Sequence, residues 1–181
     1  MSSAGIALSM FISFKRVINP TLVIVFAVLE GVALGALSKF FDAQYGQDSH
    51  LVVNAVLGTF AAFAGTLAAY KYFNISLGSK ARKLIMGAVL GMVALSVLEL
   101  GLSMFGNSTG LFAVSGLGMI TAFLGVILGV FMLIMDFEFV EYGVEAGLDD
   151  RESWRAAFAI TVSLVWIYTN LLRIMAFFGQ D

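Results

Sequence analysis

The stretch LFAVSGLGMITAFLGVILGVFMLIM, residues 111–135, holds no charged side chain and runs directly into Asp136. A helix needs about 20 predominantly apolar residues to cross the hydrocarbon of a bilayer, and this run satisfies that requirement. Working outward, four more runs meet it or nearly do: Pro20–Phe41, Leu51–Phe73, Leu84–Phe105 and Ala156–Phe178. The gaps between them hold charge, Gly, Asn or Ser, the residues that interrupt apolar periodicity. Gly5–Phe14 is too short to span, and it lacks the basic n-region and cleavage site of a signal peptide. It reads as the second half of a spanning helix. The expected fold is therefore all-α: a polytopic transmembrane bundle of five full spans plus an N-terminal half-helix. The helices are expected at about 5–14, 20–41, 51–73, 84–105, 111–145 and 153–178, in a single transmembrane domain over 1–181. Pro20, after Asn19, suits the first turn of a helix. Asp149, with Glu152 three residues on, resembles a capping box for the last one.

Composition agrees with the runs. Hydrophobic residues make up 60% of the chain and charged residues 12%, with a mean hydropathy of +0.97. A soluble domain carries roughly 45–50% apolar and about 25% charged residues, so this chain cannot cover its surface with polar groups, and its expected surroundings are the lipid bilayer. The formal net charge of -2 points to no strongly basic or acidic partner, and no nucleic-acid module is present in the sequence. The absence of cysteine removes disulfides and thiol chemistry. The single histidine, His50, lies in a polar link, whereas zinc sites take several His or Cys ligands. No metal and no cofactor are expected. Intramembrane hydrolysis needs a nucleophile with a base or a metal. The spans offer no such set, so the chain is not expected to be an enzyme.

The distribution of Lys and Arg gives an orientation. Counting links from the N-terminus, the first holds Lys15 and Arg16, the third holds Lys71, Lys80, Arg82 and Lys83, and the fifth holds Arg151 and Arg155. The links on the other side hold Lys39 alone, with Arg173 near the outer end of the last helix. The odd-numbered links are expected in the cytoplasm and the C-terminus outside. Three pairs of small residues at four-residue spacing, Gly31 with Gly35, Gly87 with Gly91 and Gly125 with Gly129, read as faces where helix backbones approach closely in lipid. No internal sequence repeat of the inverted-transporter kind is found.

Ionisable groups inside spans are costly and usually face the bundle interior, so each is a candidate functional residue. Glu30 lies mid-span in the second helix; as a protonated, hydrogen-bonded acid it has a plainer reading. Ser96, Glu99 and Ser103 form a polar stripe on one helix, and Ser163, Trp166, Asn170 and Arg173 form another on the last. Such a stripe indicates an enclosed helix. Glu99 and Arg173 come out at similar depths at 1.5 Å per residue, and the plainer reading of both is a neutralised contact that fixes packing. Asp136 ends the fourth long span. It shares a face with Met132, Gly129 and Gly125, whereas Glu138, Glu141 and Glu145 form a separate stripe. Asp136 is therefore expected to look into the bundle and the three glutamates toward water; a solvated acidic helix end is the alternative. An enclosed acid at the membrane edge is expected to change protonation and partners with pH. Clustered carboxylates also suit Ca2+, which takes about 6–8 oxygen ligands, but without EF-hand spacing any such site is weak and transient.

The chain resembles the Bax inhibitor-1 family, the transmembrane Bax inhibitor motif proteins, and most closely its YccA-like members of the actinobacterial type. The resemblance rests on Asn19-Pro20, Leu29-Glu30-Gly31 with Leu34-Gly35, and Val56-Leu57-Gly58-Thr59-Phe60 with Phe63-Ala64-Gly65. It continues in Met135-Asp136-Phe137, Trp154-Arg155-Ala156-Ala157-Phe158, Leu164-Val165-Trp166 and Leu171-Leu172-Arg173. It implies seven helices with the last enclosed by the others, a cytoplasmic N-terminus and a bacterial inner-membrane location. It also implies, for some members, a pH-sensitive calcium leak in which two aspartates share a proton and exchange contacts with a basic residue. By that resemblance Asp136 matches the first aspartate, Ser163 falls at the second, the basic partner falls near Lys15 and Arg16, and Arg173 matches the family arginine. Serine cannot share a proton as a carboxylate would, so the coupled titration of two acids in contact is lost. The chain lacks the family's first helix and part of the second, so its start is truncated or the missing wall comes from another chain or a second copy.

Two functions follow as expectations. One is a membrane cation leak channel, most simply for calcium, modulated by pH through Asp136 with Lys15 or Arg16. The other is a regulatory subunit that binds other membrane proteins, such as a modulator of a membrane AAA protease, a role with which YccA-like members are associated.

Overall fold

A computed structural model describes residues 20–45, 50–107, 109–111 and 113–179. They form five helices: α1 (Pro20–Tyr45), α2 (Leu51–Phe73), α3 (Ser79–Met104), α4 (Gly116–Glu145) and α5 (Arg151–Phe178). All five are long and apolar enough to cross a membrane. The half-helix expected at 5–14 lies outside the described residues, as do Lys15 and Arg16.

The helix ends have local causes. Asn74 closes α2 in the left-handed region, φ 45°, with its N–H on the Tyr70 carbonyl, a conformation that Asn tolerates better than most residues. Helix α4 starts at Gly116 rather than within the apolar run at Leu111, because the Ser115 hydroxyl caps it, accepting from the Gly118 N–H at 3.2 Å. The capping box expected from Asp149 and Glu152 does not form. Instead Asp149 Oδ1 accepts from the Arg151 N–H at 3.0 Å, and the Glu152 side chain turns to Arg155 at 3.3 Å.

Helix α5 is the centre of the bundle. It packs against α1, α2 and α4, whereas among the described residues α3 packs only against α4. Half of the most apolar window of α5 is buried, against 6% for α3. Each core cluster includes α5 residues. Phe158 meets Phe26 of α1 edge to face with centroids 4.9 Å apart. Tyr168, Leu172 and Ala176 pack on Leu51 and Ala55 of α2, and Ile167 packs on Leu133 and Phe137 of α4. Phe26–Phe158 at one level and Ser38–Tyr168, bonded at 2.6 Å, at another show that α1 and α5 run parallel.

Among the described residues, one of the three small-residue pairs forms a close-packing face. A Cβ on Gly125 would stand 2.3 Å from Asn170 Oδ1, and one on Gly129 would stand 2.4 Å from Ile167 Cγ1. Among the described residues nothing stands within 4 Å of the corresponding point on Gly31, Gly35, Gly87 or Gly91. In lipid, where no hydrophobic force draws helices together, closeness of backbone is what lets dispersion and hydrogen bonds act; α4 has that closeness with α5. Gly129→Val should therefore overpack against Ile167 and destabilise the bundle by about 1–3 kcal/mol, while Gly87→Val should leave it unchanged. Melting of the detergent-solubilised protein compares the two.

Candidate functional site: a polar seam between α4 and α5

Helices α4 and α5 are antiparallel neighbours, and the polar side chains of α5 meet α4 in successive rungs. At the end that carries the α2–α3 and α4–α5 links, the Ser163 hydroxyl donates to Asp136 Oδ2 at 2.5 Å. Ser163 is 1% exposed and Asp136 half-buried. One turn further in, Leu133 and Ile167 meet with no exposed surface, a dry apolar plug. Beyond it, Trp166 Nε1 donates to the Gly125 carbonyl at 2.8 Å, and the missing Cβ of Gly125 leaves the room that the Asn170 amide fills. Asn170 Nδ2 donates to the Trp166 carbonyl at 2.8 Å, and Asn170 Oδ1 accepts from Arg173 Nη1 at 3.3 Å.

Arg173 forms the far rung. Its Nη2 donates to the Gly118 carbonyl at 3.0 Å, to Thr121 Oγ1 at 3.0 Å and to the Leu111 carbonyl at 3.2 Å. Thr121 in turn donates to the Leu111 carbonyl at 2.5 Å. The segment between α3 and α4 is thus tied to α5 through Arg173. It is tied to α3 through Glu99, whose carboxylate accepts from the Gly110 N–H at 3.0 Å, from the Thr109 N–H at 3.2 Å and from the Thr109 hydroxyl. The expected Glu99–Arg173 pairing is replaced by this arrangement: the two groups grip the same connecting segment from different helices. From Asp136 to Thr121 the seam runs fifteen residues of α4, about 22 Å at 1.5 Å per residue, most of the hydrocarbon thickness.

The acidic stripe after Asp136 does not face water as a unit. Glu138 is buried; it accepts from Arg82 Nη2 at 2.7 Å and Nε at 3.1 Å and from the Leu77 N–H at 2.5 Å. Glu141 accepts from the Tyr70 hydroxyl, and Glu145 is exposed. The reason is that α2 and the α2–α3 link lie against this face, where Arg82, itself half exposed, compensates the buried carboxylate.

Of the candidate residues, the fold joins Asp136 with Ser163 and Asn170 with Arg173. Glu99 stands apart at the α3–α4 link. Glu30 is on α1, 1% exposed, with no hydrogen-bond donor on either carboxylate oxygen among the described residues. Thr121 and the Glu138–Arg82 pair are site elements that sequence reading missed. Thr121 carried a usable signal, being the only hydroxyl between Gly116 and Met135; Glu138–Arg82 carried none, since the two are 56 residues apart. Among the described residues, no three His, Cys, Asp or Glu side chains converge as a metal site would require.

Removing Arg173 as Arg173→Met should cost on the order of 3 kcal/mol or more, since hydrogen bonds from a charged donor contribute about 1.5–3 kcal/mol each. Thr121→Val should cost about 1 kcal/mol. Denaturant unfolding in mixed micelles gives both values.

Comparison with known proteins follows the same lines. The family model described as Bax inhibitor 1 like matches residues 2–180. No curated protein and no solved structure matches the chain. With a match over nearly its whole length, this polytopic helical bundle belongs to the Bax inhibitor 1 like family.

Proposed function

We propose that the protein is a passive membrane conduit for cations, most simply calcium, whose gate is the Asp136–Ser163 contact. The observation that carries this reading is a cavity of about 480 Å³ between the adjoining ends of α4 and α5. Phe139 and Gly143 line it from α4, and Ala156 and Ile160 from α5, with Asp149, Asp150 and Glu152 at the α4–α5 link. Asp136 stands one helical turn beyond Phe139 and Val140, and Ser163 one turn beyond Ile160. The cavity therefore ends just below the Asp136–Ser163 pair, and the Leu133–Ile167 plug closes the path behind it. The excess of basic residues on the α2–α3 and α4–α5 links supports a cytoplasmic location for this end and an outward C-terminus in a bacterial inner membrane. The carboxylate of Asp136 is the acid a cation would meet at the inner end of the cavity, past Asp149, Asp150 and Glu152, and its protonation would couple flux to pH; Lys15 and Arg16 are the basic partners the family resemblance implies. Opening requires α4 and α5 to part at Leu133 and Ile167.

Calcium entry into proteoliposomes should fall about tenfold for Asp136→Asn, equivalent to losing about 1.4 kcal/mol of cation stabilisation. The response of flux to pH should disappear in the same variant. Purified protein that passes no calcium above empty vesicles would remove this reading.

One observation favours a second role as a regulatory membrane subunit. Among the described residues helix α3 packs only on α4 and leaves Gly87 and Gly91 open, a small-residue face of the kind membrane helices dock on. Stable co-purification with a membrane AAA protease in mild detergent, lost on Gly91→Leu, supports it; a monodisperse monomer free of the protease counts against it.

A further inference from the structure

At the same end of the bundle, between α2 and α4, lies a second cavity of about 530 Å³. Its deep wall is apolar, formed by Leu67, Phe137 and Val140, and its rim is polar, with Lys71, Asn74, Ser76 and Glu141. Leu67 and Val140 are 41% and 39% exposed, so the apolar wall opens sideways to lipid instead of ending in the protein interior. The rim is held in place from behind, because Glu138 clamps the Leu77 N–H and Arg82. Tyr72 and Phe73, 83% and 78% exposed, flank it; aromatic side chains collect at the headgroup level of a bilayer.

The charges on this rim are specific. Among the described residues no hydrogen bond or ion pair engages the side chains of Lys71, Asn74 and Ser76. Glu141 commits Oε2 to the Tyr70 hydroxyl, and Oε1 remains for another donor. A cation and two neutral donors therefore share the rim with one carboxylate, over an apolar wall open to lipid. We propose that this cavity binds a phospholipid whose headgroup carries both a phosphate and a primary ammonium. The phosphate sits on Lys71, Asn74 and Ser76, the ammonium donates to Glu141, and the first part of an acyl chain lies along Leu67 and Val140. A purely anionic headgroup leaves Glu141 facing negative charge, and a trimethylammonium headgroup has no N–H to donate. The site shares Val140 with the α4–α5 cavity and includes neither Asp136 nor Ser163.

Native mass spectrometry of the full chain in detergent, with phosphatidylethanolamine, phosphatidylglycerol and phosphatidylcholine of identical acyl chains, tests it. The ethanolamine lipid should be retained at least about threefold over the other two, a margin that one hydrogen bond supplies. Glu141→Gln should bring it down to the choline level, whereas Lys71→Gln should weaken all three. Equal retention of the ethanolamine and choline lipids, preference for the glycerol lipid, or an undiminished preference in Glu141→Gln would each overturn the proposal. If the variants do not fold, a photoactivatable phosphatidylethanolamine on the unaltered protein decides: adducts within residues 67–76 or at Val140 support the site, and adducts confined elsewhere overturn it.

Discussion

Inside a bilayer a polar group has no water to fall back on, so each must find its partner within the protein. That constraint organises this molecule. Helix α5 carries Ser163, Trp166, Asn170 and Arg173 through the hydrocarbon, and it can do so only because other helices wrap it. Each of the four finds an acceptor or a donor on α4, on α5 itself or on the segment leading into α4. Their geometry in turn demands that α4 come close, and Gly125 and Gly129 provide that closeness. Centrality of α5, glycines on α4 and a hydrogen-bonded seam are three aspects of one requirement.

The same requirement explains the shape of the seam. Arg173 is a charge that must be spread over several oxygens, and it takes the carbonyl of Leu111 in the α3–α4 segment and that of Gly118 in the first turn of α4. The Ser115 cap lies between those two carbonyls, so the apolar run and the helix begin at different places. At the opposite end of the seam Asp136 has, among the described residues, a single hydrogen bond, from Ser163, so this rung is less constrained than that of Arg173. The gate we propose at Asp136 lies at the rung where fewer bonds must break than at the multiply bonded Arg173.

The spans were legible in the sequence because hydropathy is a local property: five apolar runs became five helices, displaced by a few residues where caps intervened. The inward direction of Asp136 was also legible, because it shares a helical face with Gly125 and Gly129. The fate of its neighbours was not. Glu138 lies on the far side of α4, and only the fold shows that Arg82 and the Leu77 N–H wait there. Likewise Glu99 and Arg173 have similar depths, but depth alone does not show that a connecting segment comes between them. On α1 and α3 the glycine pairs meet no described neighbour, since the same pattern serves a face turned to lipid, to another chain or to a neighbouring helix.

The chain contains no cysteine, so a pair introduced as Asp136→Cys with Ser163→Cys can be cross-linked without background. The measurement is the yield of intramolecular disulfide in native membranes after mild oxidation, beside a control pair of Phe131→Cys with Ser163→Cys on the lipid-facing side of α4. A high yield for the first pair and little for the control is the expected result. A low yield for the first pair, with Asp136→Cys reacting freely with a membrane-impermeant thiol reagent, would mean that this side chain stands in open water and that the seam does not begin there.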